Sequence, residues 1–539
     1  MTASSAGRTR TASHLLALAL AGCVCYANAL HVPFVLDDDA VIVENPGIGS
    51  WSASPNESPA RVVAYLTFKL NYRLGGLEPA GYHAVNVAIH VLAAWAVYAL
   101  ARALLRRARD GDPLERSTPE WPALAGALLF AVHPLQTQAV TYVVQRMASL
   151  AALFYVGALA GYAWARQVDG RRRWVAYVAA VACAALATWT KENAVTLAFA
   201  VLLLELAFFS GRVRTRVAAL APFLALLPVI PLRAMGTFGS LTEARGAAVA
   251  EPVLSRLDYL ATQTRVVSAY LRLLVVPVGQ SFEHDPPVAH GFGSPGVIAA
   301  TAFLAALGAL GLALLARRRS VAARTAGFGI LLFFVALSVE SSIIPIVDVM
   351  FEHRVYLPSA GAALAVAGLL HALLERRPGA ARALAAAVAV AAVALGTATI
   401  VRNEIWRDPV ALWREATRAS PNKPRAHLAL GNALRDAGDL GGAVIAWQRA
   451  VELHPTYSLA WNQLGSAALV QGDRRLAEER YRRAVAGVPR NPEALYNLAL
   501  VLESTGRPRD AIDLYRTFVA EAPAGREAEV ARLRARFGW

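Results

Sequence analysis

Long apolar runs recur through the first 400 residues of this chain. They lie near 14–31, 81–105, 120–134, 148–165, 174–190, 194–210, 217–232, 295–316, 325–346, 357–374 and 383–400, and no other feature constrains the fold as much. A helix needs roughly 20 apolar residues to cross a hydrocarbon core; several runs reach that length and adjoining polar turns complete the shorter ones. Only 17% of the 539 residues are charged, against about 25% in an ordinary soluble domain, so a cytosolic enzyme is excluded. Disorder is excluded too, because 56% of the residues are hydrophobic and can offset chain entropy. Residues 1–400 therefore read as an all-α polytopic membrane domain of about eleven spans.

The formal net charge is +15, supplied almost entirely by arginine, since lysine occurs only at 69, 191 and 423. Its location argues against nucleic acid as the partner. The arginines cluster at Arg102-Arg106-Arg107-Arg109, Arg171-Arg172-Arg173, Arg212-Arg214-Arg216, Arg317-Arg318-Arg319 and Arg376-Arg377-Arg382, after every second run. With Arg8 and Arg10, this alternation places the N-terminus in the cytoplasm and the C-terminus outside. Residues 256–277 break the alternation, carrying Arg256, Asp258, Arg265 and Arg272 on an apolar helix pattern. They are expected to form an interfacial or re-entrant helix on the outer face. Cys23, Cys25 and Cys183 lie inside apolar runs and are not spaced for zinc or a disulfide framework. Leu20-Ala21-Gly22-Cys23 matches a lipoprotein cleavage box, but the apolar run continues to Leu30, so a retained first helix is expected.

Beyond Ile400 the long apolar runs stop and a period of 34 begins. Gly431, Gly465 and Ala499 align, as do Gly438, Gly472 and Gly506, then Trp447, Tyr481 and Tyr515, then Pro455, Pro489 and Pro523. This is the tetratricopeptide signature, an α-solenoid of helical hairpins. Three full repeats fall at 422–455, 456–489 and 490–523, with a half repeat before them at Trp413, Ala416 and Pro421. Residues 401–539 thus form a second domain, placed outside, whose concave face suits an extended peptide or a partner protein. Stabilising or dimerising the membrane domain is the plainer role.

Polar residues at the outer ends of the runs carry whatever chemistry there is. The first outer loop holds Asp37, Asp38 and Asp39 directly after the first run. Adjacent carboxylates repel, which raises a pKa or recruits a divalent cation; either state suits a general base acting on a hydroxyl. The same residues also read as a solvated acidic turn. His133-Pro134-Leu135, Gln145-Arg146, Lys191-Glu192-Asn193, Glu283-His284-Asp285 and the segment from Phe351 to Pro358 fall on the same side. Arg146, Lys191 and Arg354 could together hold a lipid-linked phosphate near a carboxylate, although each alone reads as a snorkelling residue or an internal ion pair. His133 and His284 lack the spacing of a two-histidine metal site.

The Asp pair of the first loop, the segment His133 to Arg146 (HPLQTQAVTYVVQR), Lys191-Glu192-Asn193-Ala194 and Glu352 to Pro358 (EHRVYLP) resemble one family. These motifs look like those of bacterial relatives of the transmembrane O-mannosyltransferases that carry tetratricopeptide repeats, within the GT-C glycosyltransferase superfamily. The resemblance covers essentially the whole chain. It implies catalysis by acidic residues of the first outer loop, which maps to Asp37 and Asp38. It also implies a polyprenyl-phosphate-linked sugar donor whose phosphate is held by basic residues near the membrane surface. The expected substrate-binding set is Arg146, Lys191, His353, Arg354 and His133. One departure is visible: the family usually has Glu in its HPLxxEAV segment, where this chain has Gln138. The implied reaction is transfer of a sugar to Ser or Thr hydroxyls of exported proteins at a bacterial inner membrane. A non-catalytic, membrane-anchored repeat scaffold is the alternative, and it leaves the ionisable outer turns unexplained.

Overall fold

The computed structural model describes residues 5–52, 57–106, 120–234, 254–522 and 525–539. Arg107, Arg109 and Pro523, used in the charge and repeat patterns above, lie outside them. Six described helices are long and apolar enough to cross a membrane: Thr9–His31, Pro79–Leu105, Val143–Ala165, Pro295–Leu315, Glu352–Arg376 and Pro378–Arg407. Trp121–Val132 and Pro134–Val140 form a seventh if taken as one span, bent by 52°. The remaining apolar runs give shorter or charge-flanked helices, Gly170–Thr188, Leu197–Phe208, Val213–Leu224 and Val321–Leu337. Length alone therefore counts fewer crossings than the eleven expected, because turns and arginines consume part of each run. Residues 256–275 form one helix, as expected, with Tyr259 and Tyr270 buried.

Small residues let these helices approach closely. A Cβ on Gly361 would lie 2.6 Å from the Gly329 carbonyl oxygen, and one on Gly368 would lie 2.5 Å from the Ala326 nitrogen. Helix Val321–Leu337 consequently packs backbone to backbone on Tyr356–Arg376, as small-residue stripes allow where lipid supplies no hydrophobic drive. Two buried histidines tie the bundle at one end. His90 bonds the Tyr356 hydroxyl at 2.7 Å and the Ala131 carbonyl at 2.8 Å, and His83 bonds the Val32 carbonyl at 2.9 Å. At the opposite helix ends the arginines meet buried acids. Glu205 accepts from Tyr162, Arg166 and Arg216, and Glu120 pairs with Arg102 and Arg106.

Helix Ala381–Arg407 runs past residue 400 and passes through Asp408, which caps Pro409–Ala419 by accepting the Val410 N–H at 2.9 Å. Helix pairs Pro424–Asp436 with Leu440–Leu453, Ser458–Val470 with Arg474–Ala486, and Pro492–Ser504 with Pro508–Glu521 form the three repeats. Helix Glu527–Phe537 follows and covers the last pair with Leu533. The periodic residues have direct physical causes. Gly438, Gly472 and Gly506 turn each hairpin at φ of 86°, 84° and 80°, where side chains are strained. A Cβ on Gly465 would lie 2.6 Å from the ring of Tyr481, so the glycine makes room for the aromatic 16 residues later.

The array is not a free arm. Phe282 of the membrane domain lies 5.2 Å from Trp406 and 5.0 Å from Trp413, centroid to centroid, and 5.4 Å from Tyr142. Arg402 pairs with Glu415 at 2.6 Å, and Ser420 Oγ donates to the Glu283 carbonyl at 2.9 Å. One hydrophobic cluster runs from the first loop through Tyr142 and Phe282 into the first repeat helices.

Candidate active site

The first loop is built around Asp38. Its Oδ1 accepts the Val144 N–H at 2.7 Å and its Oδ2 accepts the Val35 N–H at 3.1 Å. The clamp holds Leu36 at φ 49°, a left-handed conformation that a leucine adopts only when its surroundings over-determine it. Burial pushes the Asp38 carboxyl well above the usual carboxylate range, against the pull of the two N–H bonds. Asp37, in contrast, is exposed. Its backbone N–H donates to the Tyr142 hydroxyl at 3.0 Å. Burial, then the charges of Asp37 and Asp38, push Tyr142 well above the usual tyrosine range, so its hydroxyl stays protonated beside Asp37. Val35 and Ile42 of this loop share one apolar cluster with Leu412, Trp413, Ala426 and Ala433, which sets the array alongside it.

The acidic turn does not fit a metal ion. Asp38 spends both carboxylate oxygens on backbone N–H groups, and among the described residues no three His, Cys, Asp or Glu side chains group to hold one. No step is routed through a cation.

The segment after the bend at His133 connects this loop to a group of cations. Gln138 Oε1 accepts the His353 N–H at 2.7 Å and its Nε2 donates to the Phe282 carbonyl at 3.0 Å. Lys191, Arg354 and Arg61 lie within electrostatic reach of His353. The His353 Nδ1 is buried without a hydrogen-bond partner, and its ring stacks on Phe351 at 5.2 Å. Two carboxylates balance the cations. Lys191 Nζ lies 2.8 Å from Glu340, and Arg61 grips Glu192 with Nε at 2.9 Å and Nη2 at 3.1 Å. Burial pushes Glu192 up, but Arg61 outweighs it and holds the carboxyl below its ordinary value. Glu352, 1% exposed, accepts from Ser281 N at 2.8 Å, Gln280 Nε2 at 2.9 Å and His284 Nε2 at 2.9 Å, and so fixes the turn that presents His353 and Arg354.

The structure thus brings Lys191, His353 and Arg354 together and sets Arg146 and His133 apart. Arg146 is fully buried and donates to Asn86, Thr67, Asn71 and the Tyr82 carbonyl at 2.6–3.2 Å, with its guanidinium 4.7 Å from the Phe68 ring centroid. It knots three helices rather than facing a cleft. His133 accepts the Leu135 N–H through Nδ1 and donates to the Leu274 carbonyl at 3.1 Å, securing the bend. Sequence reasoning passed over Arg61, Glu340, Tyr142 and the bridging role of Gln138. Arg61 carried a usable signal, being a basic residue in a loop on the side where arginine is sparse.

Comparison with known proteins fits both halves of the chain. Residues 401–458 and 462–526 match the family described as Tetratricopeptide repeat. Residues 112–234 match the family described as Dolichyl-phosphate-mannose-protein mannosyltransferase. Protein O-mannosyl-transferase Tmtc1 of Drosophila melanogaster is 33% identical over 207 residues, spanning 34% of this chain and 22% of the relative. Protein O-mannosyl-transferase TMTC3 of Mus musculus is 31% identical over 188 residues, spanning 32% and 19%. Over about a third of its length the chain is similar to proteins named protein O-mannosyl-transferases. It spans about a fifth of the length of these two relatives. Among solved structures, ArnT from Cupriavidus metallidurans bound to undecaprenyl phosphate is 14% identical, with a TM-score of 0.40 over 87% of this chain and 79% of that one. The apolar helices and the repeats describe a multi-pass membrane protein with a tetratricopeptide array.

Proposed function

We propose that this chain is a GT-C-type glycosyltransferase of a bacterial inner membrane. It moves a sugar from a polyprenyl-phosphate donor to Ser or Thr hydroxyls of exported proteins on the outer side. The observation that carries this reading is that Lys191 and Arg61 come from two other segments to within electrostatic reach of the His353-Arg354 turn, which Gln138 and Tyr142 join to the loop that exposes Asp37. The relatives named O-mannosyl-transferases support the reaction class.

In this reading Asp37 takes the proton of the acceptor hydroxyl as its oxygen bonds to the sugar C1. The bond from C1 to the phosphate oxygen breaks, and its electron pair leaves on the phosphate. A phosphate needs little chemical help to depart, so catalysis consists of a placed base and placed positive charge. The Tyr142 hydroxyl orients Asp37, and Asp38 holds the loop. Lys191, Arg354 and Arg61 receive the phosphate charge, with His353 offering its unpartnered Nδ1. Arg146 and His133 keep the surrounding helices in place. The repeats, set beside the first loop, bring the acceptor to Asp37.

The test is glycosylation of co-expressed exported proteins in membranes at matched expression. Asp37→Asn keeps volume but removes basicity, and is expected to lower the rate about 10²–10⁴-fold. Wild-type glycosylation by Asp37→Asn and Lys191→Met would leave the scaffold reading standing instead.

A further inference from the structure

The repeat array reaches the cationic turn through Arg425, with Lys423 beside it. Arg425, in the first helix of the first full repeat, donates through Nη2 to Glu283 Oε1 at 2.7 Å and to Asp348 Oδ1 at 2.6 Å. Its guanidinium lies 5.9 Å from the Phe351 ring centroid, and the guanidinium of Arg354 lies 5.8 Å from the same ring. Phe351 in turn stacks on His353. Both backbone groups of Phe351 bond the Tyr270 hydroxyl, at 3.0 and 2.9 Å. Glu283, 1% exposed, sits on the loop whose Gln280, Ser281 and His284 hold Glu352.

The turn from Asp348 to Arg354 is therefore held on four sides: by Tyr270, by Gln138, by the loop 280–284 and by Arg425. Three of these belong to the membrane domain and the fourth to the repeats. A turn that buries the Arg354 guanidinium takes a charge out of water. It stays in one shape only when carboxylates and hydrogen bonds over-determine it. Asp348 faces Arg425, Lys423 and Arg354 together, and those cations hold its carboxyl below the usual range although burial pushes it up.

We infer that Arg425 is a positioning residue for the anion-binding turn, so that the first repeat is a structural part of the donor site and not only an arm for the acceptor. The inference rests on the donor reading given above. It makes donor affinity depend on how the array is seated: a repeat domain shifted on the membrane domain releases Asp348 and Glu283 and loosens the Phe351–His353–Arg354 turn.

The experiment uses the full chain purified in detergent, with farnesyl phosphate as the probe and amide hydrogen exchange of the 349–356 segment as an independent readout. Arg425→Met is expected to speed exchange at Phe351, His353 and Arg354 and to weaken farnesyl phosphate binding about tenfold, the scale of coupling through a packed network. Arg425→Lys should recover most of both. Asp348→Asn breaks the contact from the membrane side without touching a repeat, and combined with Arg425→Met it should add little. Lys191→Met serves as the donor-site control, expected to weaken binding without altering exchange. Unchanged exchange in both Arg425→Met and Asp348→Asn overturns the positioning role whatever the site binds. Faster exchange with wild-type binding, while Lys191→Met binds poorly, also overturns it. Wild-type binding in Lys191→Met as well as Arg425→Met instead removes the donor reading, and the positioning role falls with it.

Discussion

The side chain of Gln138 bridges two loops by using both ends of its amide: Oε1 accepts the His353 N–H at 2.7 Å and Nε2 donates to the Phe282 carbonyl at 3.0 Å. The motif resemblance in the segment from His133 implies Glu at this place, and an ionised Glu supplies two acceptors and no donor. The glutamine is thus matched to a neutral bridge. Gln138→Glu should turn its second oxygen against the Phe282 carbonyl and cost about 1–3 kcal/mol. The introduced carboxyl, buried beside a carbonyl, would have a raised pKa, so the loss grows as pH rises through it and fades in acid, where the acid O–H donates. Thermal unfolding across pH checks this; a pH-independent loss would contradict it.

Asp38 makes stability depend on pH in a defined direction. Its folded pKa is raised, so its contribution is full below the unfolded value of about 3.9 and is lost as pH rises through the folded value. Asp38→Asn removes that dependence. Wild type should therefore lose stability relative to Asp38→Asn from acid towards neutral pH, as read by unfolding midpoints in detergent. A relative gain for wild type over that range would mean that the two N–H bonds outweigh burial.

Arg61 and Glu192 should behave as a coupled pair. With side chains 28% and 25% exposed, they are screened in part, and a double-mutant cycle of Arg61→Met and Glu192→Gln is expected to give a coupling of about 1 kcal/mol. Only Arg61→Met should also weaken phosphate binding, which separates its charge towards a ligand from its charge towards Glu192. Equal loss in both single variants would make the pair purely structural.

Gly465→Ala tests the packing reason for the repeat. The new Cβ meets the Tyr481 ring at 2.6 Å, and overpacking of this kind costs about 1–3 kcal/mol. Gly441→Ala, whose Cβ would have only an ordinary contact with Asp439, is the matched control. Thermal unfolding of the full chain should separate the two; identical midpoints would refute the account.

Topology is open to direct measurement. A reporter active only outside the cytoplasm should be active when fused after Trp539 and inactive when fused at Arg318, because arginine clusters stay inside. Activity at Arg318 would invert the proposed outer face.

The sequence by itself determined the helical membrane class, the repeat register and the segments that meet at the site. Those properties rest on local signals: apolar run length, arginine asymmetry and a period of 34. It could not divide the roles among equally charged residues, because that division depends on which partners arrive from distant segments. Arg146 and Arg354 both open apolar helices, yet Arg146 is enclosed by Asn86, Asn71 and the Tyr82 carbonyl, whereas Arg354 shares the ring of Phe351 with Arg425. Asp37 and Asp38 are neighbours in one acidic run, and only the fold gives Asp38 to the Val144 N–H and leaves Asp37 exposed. A buried charge must be met by partners and an exposed one need not be, so tertiary packing decided which of these charges are enclosed and which stay exposed.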